Sequence, residues 1–191
     1  MDVQLLKTYV DRLVILSDED FLLLLDCTEH RTLKKGELLI KEGEICKALY
    51  LVEKGYLRTF HNKDGVAINL NFTFEGSFVT DLKSYKNKTQ SEVNIEAGED
   101  ASVWIIRIQP GMAAKEQISR FFRRVIMELL LELEAHSNLF KIYTPTERYH
   151  YIEKNSPHLL QRISLSQIAS YLGVTRETLS RIRGKKAEGR M

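Results

Sequence analysis

The chain has 191 residues, 43% of them hydrophobic, and a formal net charge of +2 at neutral pH. That length has room for one larger and one small domain around a real core, and the near balance of charge excludes a molecule that attracts polyanions over its whole surface. No apolar run approaches the roughly 18 residues of a membrane span. The opening stretch, Met1 to Leu13, carries acids and no small-residue cleavage site, so neither a secretory signal nor a membrane partner is expected and the location is read as cytoplasmic.

Asp2 to about Arg12 reads as a short amphipathic helix with Leu5, Leu6, Tyr9, Val10 and Leu13 on its apolar side. Ser17 caps a second helix, whose first turn holds Asp18, Glu19 and Asp20, the signs that suit the helix dipole. Cys27, Thr28, Glu29 and His30 follow at its end. A thiol and an imidazole three apart without a third orienting group do not make a nucleophile–base pair. Cys27 and Cys46 are the only cysteines, with no C-x-x-C, so neither a disulfide framework nor a zinc or iron–sulfur site is expected. Both are read as small core residues.

From Arg31 to Ile108 the apolar period changes to two. Segments around Leu33, Leu38 to Ile40, Ala48 to Val52, Tyr56 to Phe60, Ile68 to Phe72, Glu92 to Ala97 and Ala101 to Ile108 read as strands, with glycine turns between them. Short strands about ten residues apart imply an antiparallel sandwich or roll. A metalloenzyme on such a roll needs an H-x-H pair with a further ligand, yet His61 is the one histidine in this segment.

Pro110-Gly111 ends the last strand, and a long helix follows from about Ala113 to Lys141. Phe122, Ile126, Leu129, Leu133, His136 and Phe140 step by four and three along it. That is a heptad-like seam, read as a dimer interface, with His136 as a packed histidine within it. Thr144 then caps a helix with Pro145 at its first position and Glu147 closing a T-x-x-E box. That helix ends near Asn155, and His158-Leu159-Leu160 is read as a connector.

Ile163 to Lys186 is the stretch that carries the chemistry. Ser164 and Gln167 form an S-x-x-Q box, with Ile168, Ala169 and Leu172 on the inner face of the helix it opens. Gly173 supplies the sharp turn, Val174 plugs it, and Thr175 caps a second helix on which Leu179 and Ile182 point inward. Arg176, Glu177, Ser180 and Arg181 share the other face. This is a helix-turn-helix. Arginine holds guanine O6 and N7 bidentately, and glutamate accepts from cytosine N4. From Arg176 to Met191 there are six basic side chains and two acids, a local excess of four that suits phosphate.

The segment VTRETLSRI (174–182) resembles the recognition-helix signature of the Crp/Fnr, cyclic-AMP receptor-like, family of bacterial transcription regulators. The resemblance implies that Arg176, Glu177 and Arg181 occupy base-reading positions, with Ser180 beside them. It also implies that Ser164, Ser166 and Thr175 touch phosphates, which Lys185 and Lys186 would extend. Upstream, KGELLIKEGE (35–44) is similar to the opening of that family's cyclic-nucleotide-binding roll, with Gly36, Gly43 and Gly55 at its turns. By the same resemblance the effector pocket would be built from Phe78, Thr80, Asp81, Thr89 and Ser91. Asp81 falls at the place of the ribose acid. Ser91, followed by Glu92, falls where the family's phosphate arginine should be. A buried cyclic phosphate facing a carboxylate and no cation is strongly disfavoured, so cyclic AMP is not expected to bind in the usual way. Many members carry a β-hairpin wing after the recognition helix, and residues 184–191 are too short for one.

The expected architecture is α+β: N-terminal helices and a cyclic-nucleotide-binding-type jelly-roll over 1–112, a long dimerisation helix over 113–142, and a helix-turn-helix domain over 143–191. The expected function is a homodimeric transcription regulator reading a pseudo-palindromic site. Its partners would be double-stranded DNA, a second copy, an unidentified small-molecule effector and, as a further partner, RNA polymerase. No cofactor, metal or catalytic residue is expected. The rival reading is a small-molecule-binding roll whose helix-turn-helix is inactive or contacts protein; DNA binding at low and moderate salt separates the two.

Overall fold

The computed structural model describes residues 2–109 and 111–187, apart from the side chains of 113 and 185–187. Helix α1 spans Val3–Leu13 and α2 spans Asp18–Asp26. Asp2 and Ser17 cap them, each accepting a backbone N–H of the first turn. The chain then enters β1 (Thr28–Leu33) and β2 (Leu38–Ile40), followed by β3 (Leu49–Lys54), β4 (Leu57–Lys63) and β5 (Val66–Thr73). After β6 (Phe78–Val79) comes the short helix α3 (Leu82–Asn87), then β7 (Asn94–Ala97) and β8 (Ala101–Ile106).

The strands form two four-stranded sheets, ordered β1-β8-β3-β6 and β2-β7-β4-β5. In the first, β8 lies between β1 and β3, antiparallel to both, with Trp104 opposite His30 and Leu51. Side chains alternate across a strand. Accordingly Tyr50, Val52, Val103 and Ile105 enter the roll interior with Leu33, Ile40, Leu57 and Ile95. Leu49, Leu51, Trp104 and Ile106 point the other way, onto Leu6, Val10, Leu24, Ile118 and Phe121 of the flanking helices. Both faces of β8 are therefore buried, which is why Val103 to Ile106 is apolar without a break. The tight turn before β4 needs Gly55: its φ is +81°, and a Cβ there would sit 2.9 Å from the Ala101 Cβ.

The 27-residue helix α4 (Glu116–Ile142) follows a one-turn 3₁₀ segment at Met112–Ala114. Three more helices lead to the last: α5 (Pro145–Asn155), α6 (Pro157–Arg162) and α7 (Leu165–Leu172), before α8 (Arg176–Ala187). Two expectations are corrected. The stretch read as a connector at His158 to Leu160 is helical, because Pro157 starts a new turn directly after α5 ends. Cys27 caps the end of α2, but Thr28 to His30 are already strand, since β1 begins at Thr28. His30 is thus a second histidine of the sheets. It bonds Glu53 at 2.6 Å, beside Ser102, which donates to the same carboxylate oxygen.

The chain divides into two compact units. One holds 1–59 and 72–131; the other holds Phe60–Asn71 together with 132–191. The outer part of the β4–β5 hairpin, residues 60–71, thus belongs to the unit that contains the helix-turn-helix.

Candidate nucleic-acid interface

The helix-turn-helix is built from its caps inward. Ser164 Oγ accepts from Gln167 N and donates to the Gln167 amide oxygen at 3.0 Å. Gly173, at φ 69° and ψ 35°, closes α7. Its N–H reaches Ser170 O at 3.1 Å, and the N–H of Val174 reaches Ala169 O at 3.0 Å, the pair of bonds that defines a Schellman stop. Thr175 Oγ1 then accepts from Thr178 N at 3.2 Å and caps α8. Ile168, Ala169, Leu172, Leu179 and Ile182 are buried along with Ile163. That burial leaves α8 one exposed face.

Arg176, Glu177, Ser180 and Arg181 are all on the exposed face, and Ser164, Ser166 and Thr175 are exposed as well. The carboxyl of Glu177 is held below the usual range by its own backbone N–H, then by Thr175, with the Arg176 and Arg181 charges adding to both. It is an ionised acceptor flanked by two donors. Arg181 Nη2 donates to Thr178 Oγ1 at 3.3 Å, so Thr178 touches a base-reading candidate that sequence reasoning left unsupported. The side chains of Lys185 and Lys186 lie outside the described residues, as do residues 188–191 of the basic tail.

Sequence reading also missed Arg148. Its guanidinium donates to Leu172 O at 3.1 Å, Phe140 O at 3.0 Å and Tyr143 O at 3.0 Å, and lies 4.4 Å over the Phe140 ring. One side chain so satisfies terminal carbonyls of both α4 and α7, groups that helices leave without partners. Nothing in the local pattern of α5 marks this arginine. His136 stacks between Phe140 and Tyr171 at 4.8 and 5.3 Å, and burial pushes its imidazole below the ordinary value.

Along α4 the five seam candidates have different surroundings. Phe122 is buried in the core of its own chain, Leu129 packs against that core, and Ile126 is half-buried. Leu133 is exposed, and Phe140 lies under Arg148. Met127, Leu130, Leu131 and Leu133 make the exposed apolar stripe of the helix.

The effector candidates are engaged with other groups of the roll and its flanking helices. Phe78 is in the core, its ring 6.0 Å from Phe121. Thr80 Oγ1 donates to Ala48 O at 2.9 Å. Asp81 caps α3, accepting from Ser84 N at 3.0 Å, and the Ser84 hydroxyl donates to Thr89 O at 2.6 Å. Ser91 is buried, and its hydroxyl exchanges bonds with Val93 N and O. Glu92 pairs with Lys83 at the surface. An open cleft of about 480 Å³ is bordered by Leu39, Ile40, Ile45, Cys46, Ala48, Tyr50 and Arg107; none of the five candidates lines it, although Thr80 bonds Cys46 and Ala48 of its border. Among the described residues no group of His, Cys, Asp or Glu could hold a metal ion, and no helix is long and apolar enough to cross a membrane.

A jelly-roll, a long helix and a capped helix-turn-helix in chain order define a class of fold. Comparison with known proteins sharpens it. Residues 30–110 match the cyclic nucleotide-binding domain family. No curated protein matches the chain in sequence. Among solved structures, FixK2 from Bradyrhizobium japonicum is similar at 22% identity and a TM-score of 0.69, covering 85% of this chain and 86% of its own. The c-di-GMP responsive global regulator CLP of Xanthomonas campestris shares 18% identity at a TM-score of 0.68, covering 91% and 93%. A Crp/Fnr-family transcriptional regulator from Eubacterium rectale shares 23% identity at 0.56, covering 91% and 85%. The fold of this chain is that of the Crp/Fnr regulators.

Proposed function

We propose that the chain is a DNA-binding transcription regulator that works as a homodimer on a pseudo-palindromic site. The observation that carries this reading is the exposed face of α8. Arg176, Glu177, Ser180 and Arg181 project from it, while Leu179 and Ile182 hold its other side against α7. A helix of this kind fits the major groove, where its arginines pair with guanine and its glutamate with cytosine. The N-terminus of α7, with Ser164 and Ser166, and the cap Thr175 would contact phosphates and set the register.

The exposed stripe Met127, Leu130, Leu131 and Leu133, with Ile126 beside it, supports a two-fold seam along α4. Two copies joined there would present their α8 helices to half-sites about one helical turn apart. An effector or partner acting on the roll would shift the dimer between competent and incompetent arrangements. That effector is not cyclic AMP held in the usual way. The segment 78–92 offers a cyclic phosphate no cation at Ser91, and Asp81 is occupied in capping α3.

Arg176→Ala and Arg181→Ala test the reading. Each is expected to cost about 1–3 kcal/mol on a specific duplex and little on random DNA. Equal losses on both kinds of DNA would remove these residues from base reading.

A further inference from the structure

Strand β5 is the outer strand of its sheet, so one of its edges has no strand partner. An open edge exposes N–H and C=O groups that need partners. Here they come from α7, within the compact unit that holds both segments. Ser170 Oγ accepts from the Asn69 backbone N–H at 3.0 Å and donates to Ala67 O at 3.3 Å. One hydroxyl, using its proton and a lone pair, thereby stands in for a residue of a neighbouring strand. The Asn69 side chain completes the clasp, its Nδ2 donating to Gln167 O at 3.0 Å. Asn69 is only 4% exposed, so its amide is buried at this contact. Burial of that group is tolerated when its bonds are made, and costs much when one is lost.

The clasp meets α7 on the face away from its apolar side, yet Ser164 and Ser166 stay exposed, as does the reading face of α8. The contact therefore holds the first helix of the pair without covering the groups that would meet DNA.

We propose that Asn69 and Ser170 are positioning residues for DNA reading. The β4–β5 hairpin works as a third element of the reading head and fixes α7 in the orientation from which α8 enters the groove. The proposal rests on the regulator reading. Its mechanical basis is that a recognition helix is aimed by the helix packed behind it, and that helix must itself be held at the DNA backbone.

The test uses the full chain and a duplex selected by the wild-type protein. Asn69→Ala and Ser170→Ala are each expected to weaken binding by about tenfold, and the double variant to be little weaker than either alone, as for two groups in one network. Ser170→Thr, which keeps the hydroxyl, is expected to recover most of the affinity. Hydrogen exchange supplies a readout independent of DNA: the Asn69 amide is protected in the wild type and exchanges faster in Ser170→Ala, while amides of β8 are unchanged. Wild-type or tighter binding by either single variant overturns the proposal, as do losses that multiply in the double variant. A wild-type chain that binds no duplex removes the regulator reading and the positioning role with it. Fast exchange of the Asn69 amide in the wild type removes the clasp itself, so the two failures are distinct.

Discussion

Arg148→Met removes three donors while keeping most of the side chain's bulk. Two of the carbonyls it serves, at Leu172 and Phe140, lie in part-buried surroundings, and the third, at Tyr143, is exposed. Leaving a buried acceptor without its partner costs about 1–3 kcal/mol each, and the exposed carbonyl turns to water at little cost. Loss of the guanidinium over the Phe140 ring adds about 0.5–1 kcal/mol. A destabilisation of about 2.5–7 kcal/mol follows for the unit containing 132–191, a large fraction of what a small domain has. Urea unfolding followed by tyrosine and far-ultraviolet signals, with the single tryptophan, Trp104, reporting the roll, reads the two parts separately. Arg148→Lys is expected to recover only a minor share, because an ammonium is a point donor and cannot span three carbonyls in a plane. A midpoint for Arg148→Met within about 0.5 kcal/mol of wild type would show that water replaces the guanidinium freely and would refute this reasoning.

Gly173→Ala is expected to cost about 1–2 kcal/mol, since the backbone there has φ 69° and the added Cβ meets Phe140 and Arg148 only at ordinary distances of 3.6 and 3.8 Å; thermal unfolding of the variant checks it. His136 makes stability depend on pH. Its folded-state value is lowered by burial, so below about pH 6.5 the unfolded chain binds the proton more readily and stability falls with pH. His136→Phe is expected to flatten that slope below neutral pH, and an unchanged slope assigns it to other groups. Calorimetric titration with cyclic AMP and cyclic GMP is expected to give no micromolar binding; such binding by either would contradict the reading of Ser91 and Asp81.

Much of this architecture was legible because local chemistry and tertiary structure agree. Ser17, Thr144, Ser164 and Thr175 each announce a helix start and each caps one. Gly173 announces the turn because few other residues adopt its backbone. The strands of the roll followed from alternation and glycine turns, although β1 began three residues before the expected period, at Thr28, where Thr and His carry no apolar signal. α6 was hidden because six residues are too few to show a helical period. The partners of Arg148, Asn69 and Ser170 could not be read from the chain at all. Asn69 and Ser170 bond groups on the far side of the sequence, and Arg148 joins the end of α4 to that of α7; nothing in the spacing of α5, β5 or α7 encodes which carbonyl or hydroxyl will arrive there. Asp81 reads as an available acid, whereas its carboxylate is committed to the first turn of α3.

The central claim is that α8, doubled by a second copy, reads base edges. Selecting bound fragments from a random duplex pool with the purified chain tests it most directly. The account predicts recovered sequences that share an inverted repeat with half-site centres about one helical turn apart. Recovery of unrelated sequences, or of none at low salt, would contradict it.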